Sequence, residues 1–206
     1  MQLLVWLSIF LLLPLGTFAQ FSAYGGITAS TVSKEYLVGD IQPQMGYHFG
    51  LGFQVSDSSI APFYPGIRLE AVRNGYIQEI ESVQHVIRLS YFGIAPYLNY
   101  TPLERWSTSL GVFIGGIIQA RYRQGAQNIG VTENYRESDI RLQGEIEWQV
   151  YEPVNIYLNY AHGLRDLVKY ADIDESGNFT GTIRDVKIRA ISLGLRVNMA
   201  PFLSKL

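Results

Sequence analysis

Residues 140–150 read Ile-Arg-Leu-Gln-Gly-Glu-Ile-Glu-Trp-Gln-Val, and their alternation decides the fold. Ile140, Leu142, Gly144, Ile146, Trp148 and Val150 share one parity; Arg141, Gln143, Glu145, Glu147 and Gln149 share the other. Period two over this length makes a β-strand with one apolar and one polar face. Upstream, residues 106–123 repeat the pattern, with Leu110, Val112, Ile114 and Ile118 on one parity and Gln119, Arg121 and Arg123 on the other. The same rule runs through residues 47–55, 67–71, 154–160 and 191–198. Two segments alternate less cleanly: 22–32, rich in Gly, Ser and Ala, and 86–100, which blurs at Gly93 and Pro96. Together these predict an all-β chain of eight strands.

Strand length and connection length say where the apolar face looks. Most of these runs reach about ten residues, against the five to six usual in soluble sheets and the 9 to 11 of a tilted membrane strand. Trp106, Tyr122, Trp148, Tyr151, Tyr47 and Tyr100 stand near strand ends, where interfacial girdles form. The connections alternate, long at 34–44, 75–84, 125–138 and 166–183, and short at 57–63, 101–105 and 152–153. That is the pattern of an antiparallel up-and-down transmembrane β-barrel whose N-terminus starts on the periplasmic side, with long loops outside and short turns inside. The competing architecture is a soluble barrel with its apolar parity inward, holding an apolar ligand.

The chain has 206 residues, enough for one folded unit. It opens on an apolar run from Leu3 to Leu15, then Thr17, Phe18 and Ala19 form a small-x-small pattern before Gln20. This predicts a secretory signal peptide at 1–19 and a barrel domain at 20–206. There is no cysteine, so disulfides, an acylated N-terminal cysteine and thiolate metal sites are excluded. Lys and Arg number 16 against 18 Asp and Glu, with no basic block suited to nucleic acid.

The whole segment after Ala19 resembles the eight-stranded outer-membrane barrels of Gram-negative bacteria, especially the porin-like or PorT-like barrel domains of the Bacteroidetes. The resemblance is carried by the opening Phe21, Ser22, Ala23, Tyr24, Gly25, Gly26, Ile27, Thr28, Ala29, Ser30, by residues 47–55, by 91–100 with its internal Pro96, and by the closing 191–199. It implies an outer-membrane location, with membrane lipid and the barrel assembly machinery as partners and no cofactor. One feature departs from such barrels, which often end on an aromatic residue: here the last strand ends near Asn198 and Met199, and Phe202 is followed by Leu203, Ser204, Lys205 and Leu206.

An eight-stranded barrel is just wide enough for side chains to fill. The inward parity is expected to gather Arg68, Glu70, Arg88, Arg121, Arg141, Glu145, Glu147 and Arg196, with the amides of Gln54, Gln119, Gln143, Gln149 and Asn159. Charges held out of water need partners, so this set reads as a structural ion-pair plug ahead of a gated ion path. Gly26, Gly50, Gly52, Gly111 and Gly115 would make room for the arginines.

Enzymatic chemistry has thin support. The histidines are His48, read as interior, His162, read as lipid-facing, and His85, near the rim, which could meet Ser82 or Glu81. No nucleophile elbow or zinc-helix motif accompanies them. Asp172, Asp174, Ser176, Gly177 and Asn178 imitate the opening of a calcium loop, but Ile183 stands where its bidentate Glu belongs, so a solvated acidic tip is expected. Sequon matches at Asn99 and Asn178 are short enough to arise by chance. The sequence thus predicts a non-enzymatic outer-membrane barrel without an open pore, serving a structural, surface-interaction or export-assembly role. A ligand at the extracellular loops is expected; a lipid-modifying enzyme is the remaining alternative.

Overall fold

The computed structural model describes residues 19–33, 39–55, 60–167, 171–173, 179–183 and 186–199. The signal-peptide prediction, apart from Ala19, lies outside these residues, as do Asp174 of the calcium-like stretch and Phe202.

The barrel strands are β1 (Ala19–Val32), β2 (Asp40–Val55), β3 (Phe63–Ile80), β4 (Val83–Leu103), β5 (Trp106–Gln124), β7 (Ser138–Tyr151), β8 (Val154–Gly163) and β11 (Ile188–Asn198). Short β6 (Gln127–Gly130) folds back on β5, and β9 (Ala171–Ile173) pairs with β10 (Phe179–Ile183) as a separate hairpin. Each barrel strand is antiparallel to its neighbours, in the order β4-β3-β2-β1-β11-β8-β7-β5, and β4 pairs with β5 to close the ring. Within the closed ring the strands satisfy one another's backbone without an exposed edge, the condition for crossing lipid with strands.

The outside of the ring is oily. Leu51, Leu110, Ile118, Leu158 and Leu193 are all half exposed or more, up to 65% for Ile118. Arg141, Glu145, Gln143 and Asn159 are buried within. An apolar outside around a charged inside is the arrangement of a barrel in lipid, and it overturns the soluble-barrel alternative. Stacked pairs edge the periplasmic rim: Trp106 with Trp148 at 5.9 Å and Phe63 with Tyr100 at 4.9 Å between ring centroids.

Two expectations are corrected here. The connection expected over 75–84 is a tight hairpin: β3 and β4 continue as paired strands to a two-residue turn at Glu81 and Ser82, whose φ values of 49° and 65° suit a type I′ turn. The long excursion is a projecting hairpin on the predicted rim. Second, Arg121 and Gln119 do not face the lumen. Ser90 pairs with Gln119 but Tyr91 pairs with Ile117, so Ile118 is an extra residue, and the bulge swaps every later side chain of β5 to the opposite face. Arg121 and Arg123 are thereby exposed, and Tyr122 leaves the expected girdle to point inward. Arg88, directly opposite Arg121, also looks outward, because on β4 the buried parity is carried by Ile87, Leu89, Tyr91 and Ala95.

These shifts have one cause. Where the strands rise out of the bilayer the surroundings change from lipid to water, and the apolar side chains change face. On β4, Phe92 and Ile94 face out, and Leu89 and Ile87, further up the same strand, face in. This switch is the blurring seen around Gly93 in the sequence. β2 carries a second bulge at the same height, where its register with β3 slips between Pro43 and Tyr47.

Candidate functional site

The lumen is stacked in layers. At the periplasmic end it is an open polar vestibule of about 500 Å³, lined by residues such as Gln54, Asn99, Gln149 and Asn198. Its roof is an ion-pair lattice contributed by β3, β7 and β11. Arg68 holds Glu145 with two nearly parallel bonds, Nη2 to Oε1 at 2.7 Å and Nη1 to Oε2 at 3.1 Å. Arg196 donates to the same Oε1 at 2.7 Å and also pairs with Glu147, which accepts a further bond from Asn155. Alternation made this possible, because Glu145 and Glu147 are neighbours on one face of β7 and present two carboxylates to arginines from across the barrel.

Aromatic rings wall the lattice. The Arg68 guanidinium lies 4.2 Å from the Tyr97 ring centre, and Arg196 lies 5.3 Å from both Tyr24 and Tyr157. Of the glycines expected to make room for arginines, Gly52 borders Arg68, whereas Gly50 and Gly111 make room for the Tyr24 and Tyr97 side chains. Tyr24 lies over its cross-strand partner Gly50, and Tyr157 over Gly194, where an added Cβ would stand 2.5 Å from each hydroxyl.

Above comes a layer of polar side chains. Thr28 Oγ1 bonds both His48 Nδ1 and Ser192 Oγ at 3.0 Å, His48 Nε2 bonds the Tyr157 hydroxyl, and Gln143 donates to Glu70 at 3.0 Å. The space left between these groups is about 20 Å³, room for roughly one water. Next is Arg141, 1% exposed, paired with Asp139 at 2.5 Å and stacked over Tyr91 at 4.6 Å and Phe113 at 5.2 Å.

The extracellular half is closed by an apolar cluster that includes Ile41, Ile87, Leu89, Tyr135, Leu167 and Val186. Tyr135, Leu167 and Val186 lie between the barrel strands in sequence and join this cluster at the barrel mouth. Burial pushes the Tyr135 phenol above its ordinary range, with Tyr76 adding to the effect. Reading the lumen as uniformly polar misses this lid; its signal was the inward-facing apolar residues of the upper strands.

Of the expected interior set, Arg68, Glu70, Arg141, Glu145, Glu147 and Arg196 line the lumen, and Arg88 and Arg121 stand outside it. Asp139, Tyr91 and Phe113 complete the Arg141 site and were not anticipated. The histidine candidates are dispersed. His48 is interior, His162 is on the outer face beside Tyr160, and His85 bonds the Tyr122 hydroxyl. Glu81 and Ser82 are exposed turn residues with no hydrogen bond to His85 among the described residues. No three His, Asp or Glu side chains among the described residues converge as a metal-binding group.

Solved barrels share this architecture. Neisserial surface protein A superposes with a TM-score of 0.55 at 12% identity, covering 88% of this chain and 99% of its own. Ail, the attachment invasion locus protein of Yersinia pestis, in complex with the heparin analogue sucrose octasulfate, gives 0.53 at 11% identity over 88% and 99%. At such identities the likeness shows the fold. No curated protein matches at the level of sequence. The sequence profile described as "Outer membrane protein beta-barrel domain" matches residues 17–169, and with lipid-facing strands closed around a charged lumen the chain belongs to that family, in the bacterial outer membrane.

Proposed function

We propose that this protein is a sealed, non-enzymatic surface barrel whose working part is its extracellular rim. The observation that carries the reading is the filling of the lumen: an ion-pair lattice, a polar layer enclosing a space of about 20 Å³, the Arg141 site and an apolar lid lie in series above the vestibule. With transport through the centre disfavoured, the surface able to meet partners is the rim. There β5 runs from Gly116, its last residue paired with β7, up to Gln124, and with β2, β3 and β4 raises one wall above the rest. The names of the structural relatives, a surface protein and an attachment protein, agree with a surface-interaction role ahead of export assembly. Membrane lipid and the barrel assembly machinery are the partners this location requires, and a protein or surface ligand is expected at the loops.

The lumen reading is tested by planar-bilayer recording of the purified barrel. No large steady conductance is expected, and a stable open level comparable to a general porin would sink the sealed-lumen assignment. The rim reading is tested on intact cells with added protease. Cleavage is expected within residues 125–137, since exposed loop tips admit a protease, and the Glu152–Pro153 turn should stay protected. Cleavage confined to that turn would invert the topology.

A further inference from the structure

The β5 bulge has a consequence outside the barrel. It turns Arg121 and Arg123 to the outer face, where Arg121 lies directly across from Arg88. Arg73 on β3 and Arg123 on β5 sit diagonally on either side and are close enough to repel the Arg88 guanidinium. Like charges directly opposed on a sheet are destabilising. Among the described residues none of the four has a carboxylate partner. The nearest satisfaction is local, Arg73 over the Tyr47 ring at 5.7 Å and Arg123 Nε donating to the Gly125 carbonyl at 3.3 Å.

The height of this cluster is informative. Along β4, roughly a dozen residues separate Arg88 from Tyr100 in the periplasmic girdle; at ~3.3 Å each and a tilt of about 40° they rise ~30 Å, against the ~25 Å apolar band of such barrels. Below the cluster on the same strands the outer face is Phe92, Ile94 and Ile114, all lipid-exposed. The arginines therefore begin where the acyl chains end, at the level of the outer-leaflet headgroups.

We propose that Arg73, Arg88, Arg121 and Arg123 form a binding site for a phosphorylated glycolipid of the outer leaflet, with its phosphates on the guanidiniums and its acyl chains on the apolar face beneath. Planar guanidinium forks match phosphate oxygens in pairs, and a phosphate among them relieves the repulsion that no carboxylate of the described residues relieves. A free anion would satisfy the charges but not the contiguous apolar face.

The test uses the full barrel in neutral detergent, titrated with bisphosphorylated lipid A and followed by native mass spectrometry. Wild type is expected to hold one glycolipid, and R88Q/R121Q to weaken that binding about tenfold or more, from the ~1 kcal/mol each basic residue contributes at a charged membrane surface. Dephosphorylated lipid A should bind wild type as weakly as lipid A binds the variant, and inorganic phosphate should not compete at similar concentrations. Equal binding by wild type and variant, or by phosphorylated and dephosphorylated glycolipid, overturns the proposal. Equal occupancy by inorganic phosphate overturns the lipid assignment. Should R88Q/R121Q fail to fold, R121Q/R123Q, altering the two most exposed members, makes the same comparison.

Discussion

Arg141→Ala is expected to cost about 3 to 5 kcal/mol of unfolding free energy. Arg141 pairs with Asp139 at 2.5 Å, and both are 1% exposed. Without the guanidinium the Asp139 carboxylate stays buried with Oδ1 already unpartnered, between the apolar lid and the polar layer. The second contribution is packing. The guanidinium fills the space between Tyr91 and Phe113, and its loss leaves a cavity that two rings on separate strands cannot collapse into. Asn74 loses a partner too, since with its amide turned to satisfy both ends its oxygen accepts from Arg141. Urea unfolding in detergent micelles, followed by tryptophan fluorescence, measures the change. Arg141→Lys should recover only part of it, because an ammonium cannot lie flat between two rings. A loss below about 1 kcal/mol would mean that water reaches the site and that the lid does not seal it.

Glu145→Ala is the second large expectation, also about 3 to 5 kcal/mol. Glu145 is the hub of the lattice, bound by Arg68 through both oxygens and by Arg196 through one. Removing it strands Arg68, whose remaining polar contact is the Ser109 hydroxyl at 3.0 Å, whereas Arg196 keeps Glu147. The loss should fall below that of Arg141→Ala, because the vestibule of about 500 Å³ borders this layer and water can enter it. Replacing the pair together, Arg68→Met with Glu145→Leu, should restore much of the stability, since an apolar pair of similar volume leaves no charge behind. Unchanged unfolding of Glu145→Ala would show that the lattice is solvated throughout. Failure of the double replacement to recover would show that the remaining arginine needs Glu145 more than Arg68 does.

Within the bilayer nearly everything about the barrel was legible in the sequence. Period two on residues 140–150 assigns Arg141, Gln143, Glu145 and Glu147 to one face, and a strand in lipid has no choice of which face is lumenal, because unpaired charge is excluded from the acyl chains. The alternating connections also segregated long excursions to one rim and short turns to the other, with the single error that the third excursion is a paired hairpin: backbone that satisfies its hydrogen bonds between two strands needs no loop signature.

Above the bilayer, alternation loses its meaning, and there the tertiary structure decided. A bulge is one unpaired residue, and nothing in Ile117, Ile118 and Gln119 announces it; only the register against β4 shows that Ile118 has no partner and that Arg121 therefore leaves the lumen. The same holds for partners across the barrel. Composition supplies arginines and carboxylates in the right parity, but that Glu145 takes two arginines and that Arg88 opposes another arginine follow from closure and register. Alternation along a strand is local and survives in the sequence; the pairing of strands distant in the chain is set by how the ring closes, which only the folded barrel determines.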